Sequence, residues 1–251
     1  MDGSRRSRMQ RAAFALAGLA ASAAAPAEEG QGWDWMVEPY AWAASIGTDL
    51  RTITPPTDAD NETSFSDILD KLDGVFMVRV EGRNDDYGMF ADFIYLGLAQ
   101  GKQRRVLSTE SDLDTRLLDA AFSFRLSEDR DAGLDVYAGI RYIDVDLATR
   151  FTPDNPVFQP RTLDVGNTYV DLLLGARYAW RLSDRWGLTL RGDASVGDTD
   201  GTWSTSVMAH YRTRHGAWLL GYRYLDAEFG NGNVDVDLNL SGPLVGYGFR
   251  F

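Results

Sequence analysis

From Trp33 onward, apolar residues recur at every second position. Across residues 75–84, Phe76, Val78 and Val80 share one parity while Arg79, Glu81 and Arg83 share the other. Leu118, Ala120, Phe122, Phe124 and Leu126 oppose Asp119, Ser123 and Arg125 in the same way. Val170, Leu172, Leu174, Ala176, Tyr178 and Trp180 oppose Asp171, Gly175, Arg177 and Arg181, and Trp203, Val207 and Tyr211 oppose Ser204, Ser206, His210 and Arg212. Period-two alternation of this kind marks strands with one apolar and one polar face. It predicts strands near 33–46, 74–84, 88–98, 110–126, 133–147, 166–182, 187–197, 202–213, 217–228 and 236–251. The reading is therefore all-β and antiparallel, with about ten strands and eight as the alternative count. Parity alone leaves open whether the apolar face is a buried core or a lipid-facing wall.

The connections favour the wall. Residues 84–87, 127–132, 183–186 and 214–216 form short polar turns, whereas 47–73, 99–109, 148–165 and 226–235 read as longer links. Short turns at one end and long loops at the other are the arrangement of an outer-membrane β-barrel, with the short turns on the periplasmic side. The compact Gly-Asp-Thr-Asp-Gly stretch at 197–201 is the exception and reads as a tight hairpin turn.

The N-terminus strengthens this reading. Arg5, Arg6, Arg8 and Arg11 precede an apolar run over residues 12–25, followed by Ala25-Pro26-Ala27. This is the layout of a secretory leader with a small-x-small cleavage site, which predicts residues 1–27 as a signal peptide and 28–251 as the barrel domain. The run falls short of the about 20 apolar residues that a spanning helix needs.

Twelve excess negative charges, deepened by three when the leader's four arginines and Asp2 are removed, argue against a nucleic-acid partner. The absence of cysteine removes disulfide and thiol chemistry. No cofactor and no metal are expected. Asp58, Asp60, Glu62, Asp144, Asp146, Asp235 and Asp237 give the external loops an acidic character, read as solvated charge.

At the C-terminus, Pro243, Val245, Tyr247, Phe249 and Phe251 share one parity and the chain stops on an aromatic residue. This ending resembles the signature by which bacterial outer-membrane barrels are passed to their assembly machinery, which makes Tyr247, Phe249 and Phe251 the expected assembly signal. Residues 38–50, 65–77 and 81–98, with a Pro-Tyr-x-Trp first strand and a Phe-Ser-Asp-Ile-Leu first loop, resemble an uncharacterised group of small proteobacterial outer-membrane proteins. That resemblance implies location in the bacterial outer membrane and a porin-like barrel fold. It implies no particular chemistry.

A barrel this narrow encloses little beyond its own side chains. Glu38, Arg79, Glu81, Arg83, Asp92, Asp119, Arg125, Asp135, Arg141, Asp171, Arg177, Arg181, Arg191, Asp193, Arg223 and Arg250 take the polar parity and are expected to line the lumen. Charges confined there must pair, so they predict a hydrogen-bonded network of arginines and carboxylates. Three related segments, starting at Gly139, Gly175 and Gly221, set Gly, Arg and Tyr so that glycine and arginine turn inward and tyrosine outward. Trp33, Trp35, Tyr40, Trp42, Tyr95, Tyr137, Tyr142, Tyr178, Trp180, Trp186, Trp218 and Tyr224 are expected at the membrane boundaries. Pro39 and Pro243 lack an N–H for the ladder and predict a bulge or frayed pairing where first and last strands meet.

Ser64 and Asp67, followed by Ile68, Leu69 and Leu72, predict a short capped helix over the barrel mouth or on the membrane surface. His210 falls near the periplasmic end of its strand, within possible reach of Ser204 or Ser206, and His215 falls in a periplasmic turn. Outer-membrane barrel enzymes that use histidine commonly hold it in the outer half. The expectation is a non-enzymatic barrel with a plugged lumen, serving envelope integrity or surface interaction with lipopolysaccharide or an external partner. The alternatives are a narrow channel for polar solutes and, less favoured, a lipid A-modifying enzyme or protease.

Overall fold

A computed structural model describes residues 32–53, 56–104, 107–129, 132–153, 161–230 and 234–251. The leader predicted at 1–27 lies outside the described residues. The described chain forms β1 (Asp34–Trp42), β2 (Ser45–Ile53), β3 (Pro56–Thr63), the helix α1 (Phe65–Leu69) and β4 (Leu72–Arg83). It continues as β5 (Tyr87–Arg104), β6 (Leu107–Arg125), β7 (Gly133–Pro153), β8 (Arg161–Arg181), β9 (Trp186–Gly197), β10 (Gly201–Arg212), β11 (Gly216–Gly230) and β12 (Val234–Arg250).

These segments make a closed antiparallel barrel of ten staves. The difference between segments and staves arises at the seam. β1 and β2 are the two halves of one stave, since Met36↔Arg250, Trp42↔Leu244 and Ser45↔Ser241 all lie on one register with β12. β4 and β3 divide the next stave, pairing with β1 and β2 respectively. The β1–β12 pairing closes the circle, which leaves the spanning part of the sheet without an edge.

The prolines interrupt this seam without inserting a residue. Pairing with β12 lapses at Glu38 and Pro39, and the break between β1 and β2 at Ala43 and Ala44 falls opposite Gly242 and Pro243. One bond survives there, from the Ala43 N–H to the Pro243 carbonyl at 2.9 Å. The expected bulge is therefore absent and the expected fraying is present. A missing N–H deletes a rung, and the registers on either side are held by the flanking strands.

The long links differ from the loops expected. They are continuations of the strands, with β5 pairing β6 as far as Arg104↔Leu107 and β7 pairing β8 as far as Phe151↔Arg161. β11 pairs β12 out to Gly230↔Asp235, and β2 pairs β3 out to Ile53↔Pro56. The described parts of these polar stretches keep ladder partners on at least one side in this way, which alternation in hydropathy does not reveal. Beyond the barrel proper, β5–β8 make one four-stranded flap, and β11, β12, β2 and β3 make a second. The short turn between β9 and β10 separates the flaps on one side, because β8 has no β9 partner beyond Asp171↔Gly197.

Helix α1 is capped as its sequence predicts: the Ser64 hydroxyl accepts from the Asp67 N–H at 3.4 Å. The same hydroxyl donates to the Asp67 carboxylate at 2.6 Å, and this bond holds that exposed carboxyl below its usual range. The helix does not cover the mouth. It joins β3 to β4 at the level where the stave changes partner from β2 to β1, with Ile68 buried.

Outward-facing positions are apolar and exposed, among them Val170, Leu172 and Leu174 on β8, and Phe122, which is 72% exposed, on β6. A surface of that composition is matched to lipid, not to water. Aromatic pairs bracket it. At the end carrying Trp35, Phe251 and the tight turns lie Tyr87–Phe124, Tyr178–Trp180, Trp186–Tyr211 and Trp218–Tyr247, with ring centroids between 4.5 and 5.5 Å apart. Toward the flaps lie Phe76–Phe93 at 6.3 Å and Trp203–Tyr224 at 4.8 Å. Tyr40, Trp42 and Tyr137 are corrections to the expected girdle. They share parity with Glu38 or Asp135 and face the lumen, where each finds a polar partner.

Candidate functional site

The lumen is filled in three levels. At mid-height, Arg141 on β7 stands directly opposite Asp119 on β6. Its guanidinium donates through Nε to Asp119 Oδ1 at 2.8 Å and through Nη2 to Asp119 Oδ2 at 2.9 Å, the bidentate geometry that a planar fork and a carboxylate prefer. The same Nη2 reaches Asp193 Oδ1 at 2.7 Å, and Nη1 donates to Thr202 Oγ1 at 2.6 Å. Both Arg141 and Asp119 are fully buried. Arg191 donates to the Tyr137 hydroxyl at 2.7 Å and to Asp193 at 3.1 Å, while Tyr137 itself donates to Asp193 at 2.9 Å.

Arg223 crosses from β11 to Asp92 on β5 at 3.4 Å, and Tyr40 donates to the other oxygen of Asp92 at 2.7 Å. In the circle of staves, β11 and β5 are four places apart, so these contacts bridge the interior. The Phe90 ring lies under two guanidiniums, 4.0 Å from Arg79 and 4.8 Å from Arg191. Stacking of this kind adds the ring face to the carboxylates that already surround both cations.

Nearer the tight turns, Glu81 and Asp135 serve several arginines. Arg177 crosses from β8 to Glu81 at 2.9 Å and holds Asp135 at 2.6 Å. Arg79 takes Glu81 at 3.0 Å, Arg83 also donates to Glu81, and Arg125 stands 3.5 Å from Asp135. Glu38 is buried 3.9 Å from Arg79. Toward the flaps the filling is apolar: Trp42, Met77, Ile94, Leu117, Ile143, Leu225 and Leu244 form one buried cluster, against which Tyr169, Met208 and Phe229 pack.

Fourteen of the sixteen residues expected in the lumen turn inward in these levels. Asp171 is among them but pairs differently: it is held by hydroxyls, accepting from Ser195 at 2.8 Å and Thr199 at 2.5 Å, and it pins the turn at 198–200. Arg181 and Arg250 stand at the edge of the lumen. Both lie exposed at the tight-turn rim, and Arg181 pairs there with Asp129 at 2.9 Å. Parity carries each inward, but each is the last residue of its strand, and Arg250 lines the lumen cavity only at its rim. Tyr247 and Phe249 face outward, 4.8 Å apart. Phe251 closes onto Trp35 by two backbone bonds, of 2.9 and 3.3 Å.

His210 faces the lumen, but Ser204 is committed to Asp193 and the His210 Nε2 is buried without a hydrogen-bond partner. His215 is exposed in its turn. Among the described residues, no three His, Asp or Glu side chains are placed to hold a metal ion. The network residues that pattern reading passed over are Tyr40, Tyr137, Phe90, Ser195 and Thr202, while Ser204, already placed on the polar face, serves Asp193 and not His210. Their signal was parity, shared with Glu38, Asp135, Asp92, Asp193 and Arg212.

Gly175 shows how tightly the lumen is fitted. The Tyr137 ring lies across it, so a β-carbon there would meet that ring at 2.3 Å, and the ring is tethered by Arg191 and Asp193. Gly175→Val is expected to cost about 1–3 kcal/mol by overpacking. The loss would be read as a lower denaturant midpoint of the refolded protein.

No family model matches the chain, and no curated protein sequence matches it. Among solved structures, the outer membrane protease OmpT from Escherichia coli superposes with a TM-score of 0.53 at 9% identity, covering 88% of this chain and 97% of that one. Ail, the attachment invasion locus protein of Yersinia pestis, matches at a TM-score of 0.38 and 12% identity over 88% of this chain and all of its own. The translocator domain of the autotransporter NalP from Neisseria meningitidis matches at 0.36 and 14% identity over 98% of both chains. At such identities the likeness concerns architecture alone, and the architecture of this chain is that of the outer-membrane β-barrels.

Proposed function

We propose that this protein is exported and inserted into the bacterial outer membrane, where it acts without enzymatic chemistry as a closed barrel serving envelope integrity or surface interaction. The apolar band between two aromatic girdles supports the location. The short turns then face the periplasm, and the flaps meet lipopolysaccharide or an external partner.

The observation that carries the closed reading is the double barrier in the lumen. Arg141, Asp119, Asp171 and Leu173 are shielded from solvent altogether, and the apolar cluster seals the flap side above them. An ion crossing would have to break the bidentate pair and then carry water into an apolar layer. Among the described residues, the His210 Nε2 has no polar partner and Ser204 is taken by Asp193, which supports a role without a histidine base.

In planar bilayers the refolded protein is expected to give no discrete conductance steps. Steps that change in size with Arg141→Ala, Arg177→Ala or Arg223→Ala would favour the second reading, a narrow channel for polar solutes. That reading draws on the cavity of about 190 Å³ at the tight-turn end.

A further inference from the structure

That cavity has a charge imbalance which neither reading uses. Its lining carries seven arginines against the carboxylates of Asp34, Glu38 and Glu81, and Arg83, Arg125 and Arg177 divide Glu81 and Asp135 among themselves with Arg79. Arg250 lines the same cavity at its rim and has no ion pair among the described residues. His210 also lines it, with Nε2 buried and unpartnered. Guanidinium forks that share too few carboxylates and an orphaned ring nitrogen are costly inside a wall surrounded by lipid, and an anion bearing several acceptor oxygens relieves both together.

The geometry points to a binding site for a small, soluble, polyvalent oxyanion of the phosphate class, held by Arg250, His210 and the guanidinium edges left over by Glu81 and Asp135. Phosphate oxygens accept from guanidinium forks in the same bidentate manner as carboxylates. The volume exceeds the roughly 30 Å³ share of a single water several times over, enough for phosphate or pyrophosphate with some hydration. A lipid headgroup is a poor occupant. The barrel is closed on all sides, so the lipid would have to draw its acyl chains out of the bilayer to enter. The site goes beyond the proposed function and holds whether or not the lumen conducts.

The test is calorimetric titration of inorganic pyrophosphate into the refolded full chain in non-ionic detergent at fixed ionic strength, with chloride as reference anion. Saturable one-to-one binding is expected for pyrophosphate alone. Combining Arg250→Gln with His210→Ala should weaken it about tenfold, the loss expected when charge-assisted hydrogen bonds are removed. Arg250→Lys should recover part of that loss in the same background, and Arg214→Gln in the neighbouring exposed turn should change nothing. Heat-modifiable gel mobility verifies that each variant is folded. If the double variant does not fold, Arg250→Gln alone, at an exposed strand end, gives the reading. Pyrophosphate that binds no better than chloride, or folded variants that bind as the wild type does, would overturn the proposal.

Discussion

Asp119→Ala should destabilise the refolded barrel by about 3–5 kcal/mol, the cost of stripping a buried cation of its partner. Arg141 is fully enclosed, and Asp119 supplies two of its four close hydrogen bonds. Removing that carboxylate leaves Nε without an acceptor, and leaves Arg191 and Arg223 without a carboxylate that stands 3.5 and 3.8 Å away. Urea titration in detergent micelles, followed by tryptophan fluorescence, measures the loss. Asp119→Asn keeps an acceptor oxygen and should lose less. Replacing both partners, with Asp119→Leu and Arg141→Met, should cost much less than the two single losses together, because an apolar pair strands no charge. A loss below about 1 kcal/mol for Asp119→Ala, the size of an ordinary surface pair, would mean that water reaches Arg141 and that the lumen is open.

The second large effect belongs to the outer face. Leu174 is 54% exposed, midway along β8 between Val170 and the Tyr178–Trp180 pair. Leu174→Arg is expected to cost about 2–4 kcal/mol in a bilayer, the depth-dependent penalty for a charge on the lipid face at mid-membrane, while Leu182→Arg at the tight-turn end should cost about 0–1 kcal/mol. Folding titrations into liposomes compare the two. Equal small penalties would mean that this face is wet, against the lipid-facing reading. The contrast with Arg177, three residues on and turned inward, would show that side of the wall, not residue type, sets the cost.

Alternation was enough to place most residues on the correct side of the wall. Within one strand, side chains must alternate, so Arg141 and Tyr142 could not face the same way, and the inward course of Gly139, Gly175 and Gly221 followed from the same rule. Where sequence reading failed, a general tendency had been set above parity. Tyr40, Trp42 and Tyr137 were assigned to the girdles because aromatic residues favour membrane boundaries, although their parity already matched Glu38 and Asp135. The flaps were hidden for another reason: a strand rising into water needs no alternation, so polar continuations of β5 to β8 look like loops.

Local chain chemistry thus determined the strand number, the tight turns, the cap at Ser64 and the two faces of nearly every strand, since each depends on neighbours a few residues away. The partners across the lumen depended on closure. Arg177 meets Glu81 from 96 residues away and Arg223 meets Asp92 from 131, encounters set by the registers accumulated around ten staves. The same registers place Arg181 and Arg250 at the rim of the lumen and align the apolar cluster from Trp42 to Leu244 into a seal. Height in a barrel is a property of the whole circle, because each strand's level is fixed by hydrogen bonds to the one before it.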